Sequence, residues 1–122
     1  LVVEDTEINM EIMVELLDMA GVQVETACNG QEAVQMVTEN TAGYYGLVFM
    51  DIQMPVMDGY EATRHIRQME RSDAQTIPIL AVSANTLASD VKNAIDAGMN
   101  DHIPKPVDFE SVEKALRHYL GS

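Results

Sequence analysis

Leu47-Val48-Phe49-Met50-Asp51 is an unbroken apolar run that ends in a carboxylate. Ile77-Pro78-Ile79-Leu80-Ala81-Val82 repeats the pattern and ends against Ser83. Apolar runs of this length, without alternation, mark strands covered on both faces, as in a parallel sheet. Working outward, Val22 to Cys28 alternates apolar and polar and reads as a strand near a sheet edge. Leu1-Val2-Val3 reads as a first strand, expected to be truncated at the N-terminus, and about 100–103 reads as a short fifth strand.

The stretches between these runs carry apolar residues at helical spacing. Over 8–20, Ile8, Ile12, Met13, Leu16, Leu17 and Ala20 are expected inward, with Glu7, Glu11, Glu15 and Asp18 outward. Gly21 is expected to stop this helix, since glycine tolerates positive φ. Asn29-Gly30 reads as a strand-to-helix turn before a helix over 31–40 with Ala33, Val34 and Val37 inward. Further helices are expected over about 60–71 (Ala62, Ile66, Met69 inward), 87–97 (Leu87, Val91, Ala94, Ile95), closed by Gly98, and 107–120 (Phe109, Val112, Leu116, Tyr119 or Leu120). Strand and helix alternate five times. That order calls for an α/β fold: a single doubly wound five-stranded parallel sheet with helices on both faces.

At 122 residues, 47% hydrophobic and 22% charged, the chain has the size and composition of one globular domain. No repeat or linker interrupts it, so one domain over residues 1–122 is expected. Seven basic against 20 acidic residues give a net charge of −13, which argues against nucleic acid or an anionic membrane surface as a direct partner. One cysteine, Cys28, excludes an internal disulfide and a four-cysteine zinc site, and fits a cytoplasmic setting. There is no signal-peptide pattern, and the Leu1 start and Gly121-Ser122 end suggest a piece of a longer chain.

Ligands of open parallel sheets sit at the carboxyl ends of the strands, near the reversal of strand order. There this sequence places Glu4 and Asp5 after the first strand, Asp51 after the third, Ser83 after the fourth and Lys105 after the fifth. Singly, each has an ordinary explanation as a cap, a turn brace or a solvated lysine. Together, three carboxylates on one rim repel and call for a counter-charge, for which a hard divalent cation such as Mg²⁺ is suited. Asp51 is a candidate nucleophile, because a carboxylate can form an acyl phosphate. Lys105 and Ser83 would then face the transferred anion, whose charge is spread over three oxygens.

These segments resemble a known family. Val48-Phe49-Met50-Asp51-Ile52-Gln53-Met54-Pro55-Val56-Met57-Asp58-Gly59 resembles the phosphoacceptor loop of the response-regulator receiver domains of two-component signalling. Glu4-Asp5 resembles the family's acidic pair, Ala81-Val82-Ser83-Ala84 its hydroxyl segment, and Ile103-Pro104-Lys105-Pro106 its lysine-proline motif. The resemblance covers the whole chain, with four motifs in order. It implies a flavodoxin-like sheet of strand order 2-1-3-4-5. It implies phosphorelay signalling in which Asp51 takes a phosphoryl group from a histidine kinase or histidine phosphotransfer domain. Mg²⁺ would be bound by Asp5, Asp51 and the Gln53 carbonyl, with Glu4 acting through water. Lys105 and Ser83 would contact the phosphoryl group, and Lys105-Pro106 would be a cis peptide.

His102 stands where the family often has a rotating Tyr or Phe, which puts an aromatic switch in doubt, and it has no second metal ligand near it in sequence. Phosphorylation is expected to draw Ser83 inward and re-pack residues 84–90 with the fourth helix, fifth strand and fifth helix, a face through which dimerisation is also an expectation. The motifs look like receivers attached to hybrid sensor histidine kinases, whose parent could be membrane-anchored although this domain has no direct membrane contact. The competing reading is a receiver-like docking scaffold that is not phosphorylated. An aspartate-phosphatase enzyme would want a second Asp where Gln53 stands, and a flavin or dinucleotide site would not begin with Glu4-Asp5-Thr6-Glu7.

Overall fold

The computed structural model describes residues 1–39, 45–52, 57–69, 77–83, 88–104 and 107–120. Strands and helices alternate along the chain: β1 (Val2–Val3), α1 (Glu7–Met19), β2 (Thr26–Ala27), α2 (Gly30–Glu39), β3 (Val48–Asp51), α3 (Gly59–Arg67), β4 (Ile79–Ser83), α4 (Ala88–Ala97), β5 (Asp101–Pro104) and α5 (Phe109–Leu120). All four strand pairings are parallel and the order is β2-β1-β3-β4-β5. The expected doubly wound sheet is therefore present, and strand order reverses between β1 and β3.

Each central strand feeds two apolar layers, because successive side chains on a strand point to opposite faces. Val48, Met50, Ile79 and Ala81 join Ala33, Val37, Ala62, Ile66 and Ala94 under α2, α3 and α4. Phe49, Leu80 and Val82 join Met13, Leu17, Val112 and Leu116 under α1 and α5. This two-sided burial is why residues 47–50 and 77–82 read as continuous apolar runs. Burial of Met13, Met50 and Met99, and partial burial of Met36 and Met69, agrees with methionine used as core filler.

The edges depart from the sequence reading. Only Thr26 and Ala27 of the expected strand 22–28 pair with β1, since an edge strand has a partner on one side alone. Helix α3 stops at Arg67, short of residue 71, with Gln68 as its C-cap, while Met69 still packs on the core. Gly21 and Gly98 take positive φ of 82° and 107°, as helix-terminating glycines do.

Three expected core assignments, on two helices, are corrected. Ile8 and Ile12 on α1 are 69% and 43% exposed, and Ile95 on α4 is 58% exposed. At about 100° per residue, Ile8 stands half a turn from Leu17, so both cannot face the sheet. On α4 the small Ala94 and Ala97 make the buried contact instead. Leu87 and the side chains of Val91 and Leu120 lie outside the described residues. Among the described residues, no helix is long and apolar enough to cross a membrane.

Candidate functional site

The parallel sheet aligns the carboxyl ends of β1, β3, β4 and β5 on one rim. Pairing of Val3 with Met50 sets the residues after β1 level with Asp51, the last residue of β3. Ladder pairing then sets Asp51 beside Val82, and Ser83 beside Pro104. The Glu4 amide donates to the Ala27 carbonyl at 3.1 Å, which holds the acidic pair to the sheet as the chain leaves β1. One Glu4 carboxylate oxygen accepts from the Thr6 amide at 3.3 Å.

Glu4, Asp5 and Asp51 each bring a carboxylate oxygen to within 4.8 Å of the other two. Glu4 and Asp51 are each only 3% exposed, whereas Asp5 is open to solvent. Two like charges at that range repel by roughly 3 kcal/mol at an effective dielectric of 20, and burial adds a desolvation cost. Oxygen-only donors, hard and anionic, at the mouth of a cleft suit a hard divalent cation such as Mg²⁺, which keeps part of its water shell. The donor set fits that ion. Among the described residues this is the grouping that could hold a metal, and His102 is not in it. His102 sits half-buried in β5 beside Ala81, and its ring Nε2 is enclosed without a hydrogen-bond partner among the described residues.

The backbone of Asp51 is held from several sides. The Ile52 amide donates to the Val82 carbonyl at 3.3 Å, and the Gly59 amide donates to the Ile52 carbonyl at 2.9 Å. Gly59 packs so closely that a Cβ on it would fall on the Asp51 carbonyl oxygen and within 2.9 Å of the Ile52 Cα. Gly59 is also the first residue of helix α3. Asp58 caps it by accepting from the Glu61 amide at 2.8 Å, and the buried Thr63 hydroxyl donates to the Gly59 carbonyl at 2.8 Å.

Sequence reasoning had not singled out Gly59, Asp58 or Thr63 as supports of the site. Asp58 carried a readable signal, because Asp-x-x-Glu before a helix is a capping pattern. Of the expected site residues, Glu4, Asp5 and Asp51 come together, and the Ser83 backbone lies on the same rim. Gln53, Lys105, the Lys105-Pro106 peptide, residues 84–87 and the Ser83 side chain lie outside what is described.

Residues 1–117 match the family described as the response regulator receiver domain. The osmosensing histidine protein kinase SLN1 of Saccharomyces cerevisiae is 37% identical over 125 residues, covering all of this chain and 10% of the kinase. The chain spans only 7–10% of the length of SLN1 and of two Dictyostelium discoideum hybrid signal transduction histidine kinases that it also matches. Among solved structures, the receiver domain of a Pseudomonas aeruginosa sensor histidine kinase, with a magnesium ion coordinated in its active site cleft, superposes with a TM-score of 0.88 at 35% identity. That match covers 99% of this chain and 95% of the other. The receiver domain of yeast Ssk1, crystallised with the histidine phosphotransfer protein Ypd1, superposes with a TM-score of 0.84 at 31% identity, covering 97% of this chain and 85% of the other.

Proposed function

Because the chain belongs to the response regulator receiver domain family of two-component phosphorelays, we propose that Asp51 is its phosphoacceptor, taking a phosphoryl group from a phosphohistidine in a Mg²⁺-dependent step. The observation that carries this reading is the buried Asp51 carboxylate, gathered with Glu4 and Asp5 within 4.8 Å at the carboxyl edge of the sheet. An Asp51 oxygen attacks phosphorus, the O–P bond forms as the N–P bond of the phosphohistidine breaks, and the imidazole leaves with the electron pair. The product is an acyl phosphate on Asp51.

Asp5 and Asp51, with the Gln53 carbonyl and with Glu4 through water, would hold Mg²⁺, which supplies positive charge to the phosphoryl oxygens. Glu4 and Asp5 adjust the rim charge, while the sheet and Gly59 fix the direction in which the Asp51 carboxylate is presented. Lys105 and Ser83 are assigned as the cation and hydroxyl that bind the phosphoryl oxygens, on the strength of their positions after β5 and at the end of β4. Phosphorylation adds about −1.5 to −2 charges at this rim, enough to bias a two-state packing of the neighbouring loops. The donor is assigned to the class of histidine kinases or histidine phosphotransfer domains, in keeping with the partner of the similar Ssk1 receiver.

Incubation with Mg²⁺ and acetyl phosphate followed by intact-mass measurement tests the reading. A gain of one phosphoryl mass, absent in Asp51→Asn and absent with EDTA, is expected. No gain in the unaltered protein would leave a docking scaffold as the function.

A further inference from the structure

Glu4 and Asp5 follow β1 and Asp51 ends β3, and beside the close fit of Gly59 a second tight approach near them comes from a different element, the start of α2. Gly30 is buried, and its amide donates to the Met57 carbonyl at 3.2 Å. A Cβ on Gly30 would stand 2.5 Å from that same oxygen and 3.0 Å from the Ala62 Cβ. The first of these is nearer than a carbon and a backbone oxygen can pack, and a backbone oxygen cannot swing aside as a side chain can. Asn29 fixes where Gly30 sits, since its side-chain oxygen caps α2 by accepting from the Glu32 amide at 2.8 Å.

From Met57 the contact reaches the acceptor in two short links. Met57 is followed by Asp58 and Gly59, and Gly59 both donates to the Ile52 carbonyl and lies against the Asp51 carbonyl. Within α3 the Thr63 hydroxyl donates back to the Gly59 carbonyl, one helical turn earlier. Any outward shift of residues 57–59 therefore moves the peptide that carries Asp51. We infer that Gly30 is a positioning residue for the phosphoacceptor: the missing side chain lets α2 clamp the 57–59 turn, and that turn sets the backbone of Asp51 and Ile52. This role deepens the proposed function and rests on it for its bearing on metal and phosphate. Gly30 touches neither.

The test compares the unaltered protein with Gly30→Ala, and with Gly30→Ala combined with Ala62→Gly. Two quantities are read: amide resonances of Ile52, Met57 and Gly59 in metal-free protein, and the Mg²⁺ dissociation constant from titration. Gly30→Ala is expected to shift those three amides and to weaken Mg²⁺ binding about tenfold, the range seen when supports behind metal ligands are lost. Adding Ala62→Gly removes the side-chain contact but not the clash with the Met57 carbonyl, so the loss persists. Mg²⁺ affinity within about twofold of the unaltered protein, in a Gly30→Ala protein that folds, overturns the inference, and so does recovery on adding Ala62→Gly. Should Gly30→Ala not fold, Asn29→Ala takes its place and is expected to give a smaller loss in the same direction; no loss overturns the inference. If the unaltered protein binds no Mg²⁺, the phosphoacceptor reading fails, while the amide shifts of the metal-free proteins still decide whether Gly30 sets the Asp51 backbone.

Discussion

Helices α1 and α3 are each the next helix after a strand that leads a carboxylate to the rim, and they are anchored very differently. Helix α3 is capped by Asp58, buries Ala62, Thr63 and Ile66, and at its far end ties Arg67 to the Gly98 carbonyl and the Asn100 side chain, each at 2.9 Å. Asn100 in turn accepts from the Ile79 amide at 2.9 Å, so this far end is bonded to β4 as well. Helix α1 has no side-chain cap at Thr6, buries only Met13 and Leu17, and turns Ile8, Ile12 and Met19 to solvent. The difference matches the two jobs proposed above for the rim. An attacking carboxylate must be aimed, so Asp51 is followed by a helix locked at both ends. A carboxylate that would act on a hydrated cation through water, as proposed for Glu4, tolerates a looser hold, and Glu4 and Asp5 precede the looser helix.

This contrast can be broken by mutation, most severely in the core of α3. Ile66→Ala, at a fully buried position, is expected to cost about 2–5 kcal/mol in denaturant unfolding. A loss below about 1 kcal/mol would mean that α3 is not the rigid partner. Arg67→Ala removes the charge-assisted hydrogen bonds to Gly98 and Asn100 from the end of α3 and is expected to cost about 2 kcal/mol, with faster amide exchange at Gly98 to Asn100. Asp58→Ala removes the cap and is expected to cost about 1 kcal/mol, while Thr6→Ala on α1 costs less, since no cap bond is lost there. Smallest of all, Ile8→Ala on the solvent side of α1 should stay within about 0.5 kcal/mol. A larger effect at Ile8 than at Asp58 would reverse the comparison.

How far the sequence could be read follows from the same physics. Central strands were legible because burial on two faces removes polar residues from Leu47 to Met50 and from Ile79 to Val82. The acidic rim was legible because Glu4, Asp5 and Asp51 directly follow apolar runs, and parallel strands end on the same side. The exposure of Ile8, Ile12 and Ile95 was not, since helical spacing tells which residues share a face but not how wide a face the sheet will cover. The supports of Asp51 were also hidden. Gly59 and Gly30 act through atoms they lack, against carbonyls brought close by the folded chain, and the Thr63 hydroxyl makes the ordinary helical bond to the carbonyl four residues back, which alone marks no site. Asp58 could have been read from its own spacing to Glu61.

The central claim is that one particular carboxylate becomes the acyl phosphate. The protein should be phosphorylated with Mg²⁺ and acetyl phosphate, reduced with borohydride, digested and sequenced by mass spectrometry. Reduction converts a phosphorylated aspartate to homoserine, and the account predicts that residue at position 51 alone. Homoserine at Glu4's neighbour Asp5, at Asp58 or nowhere in the chain would contradict it.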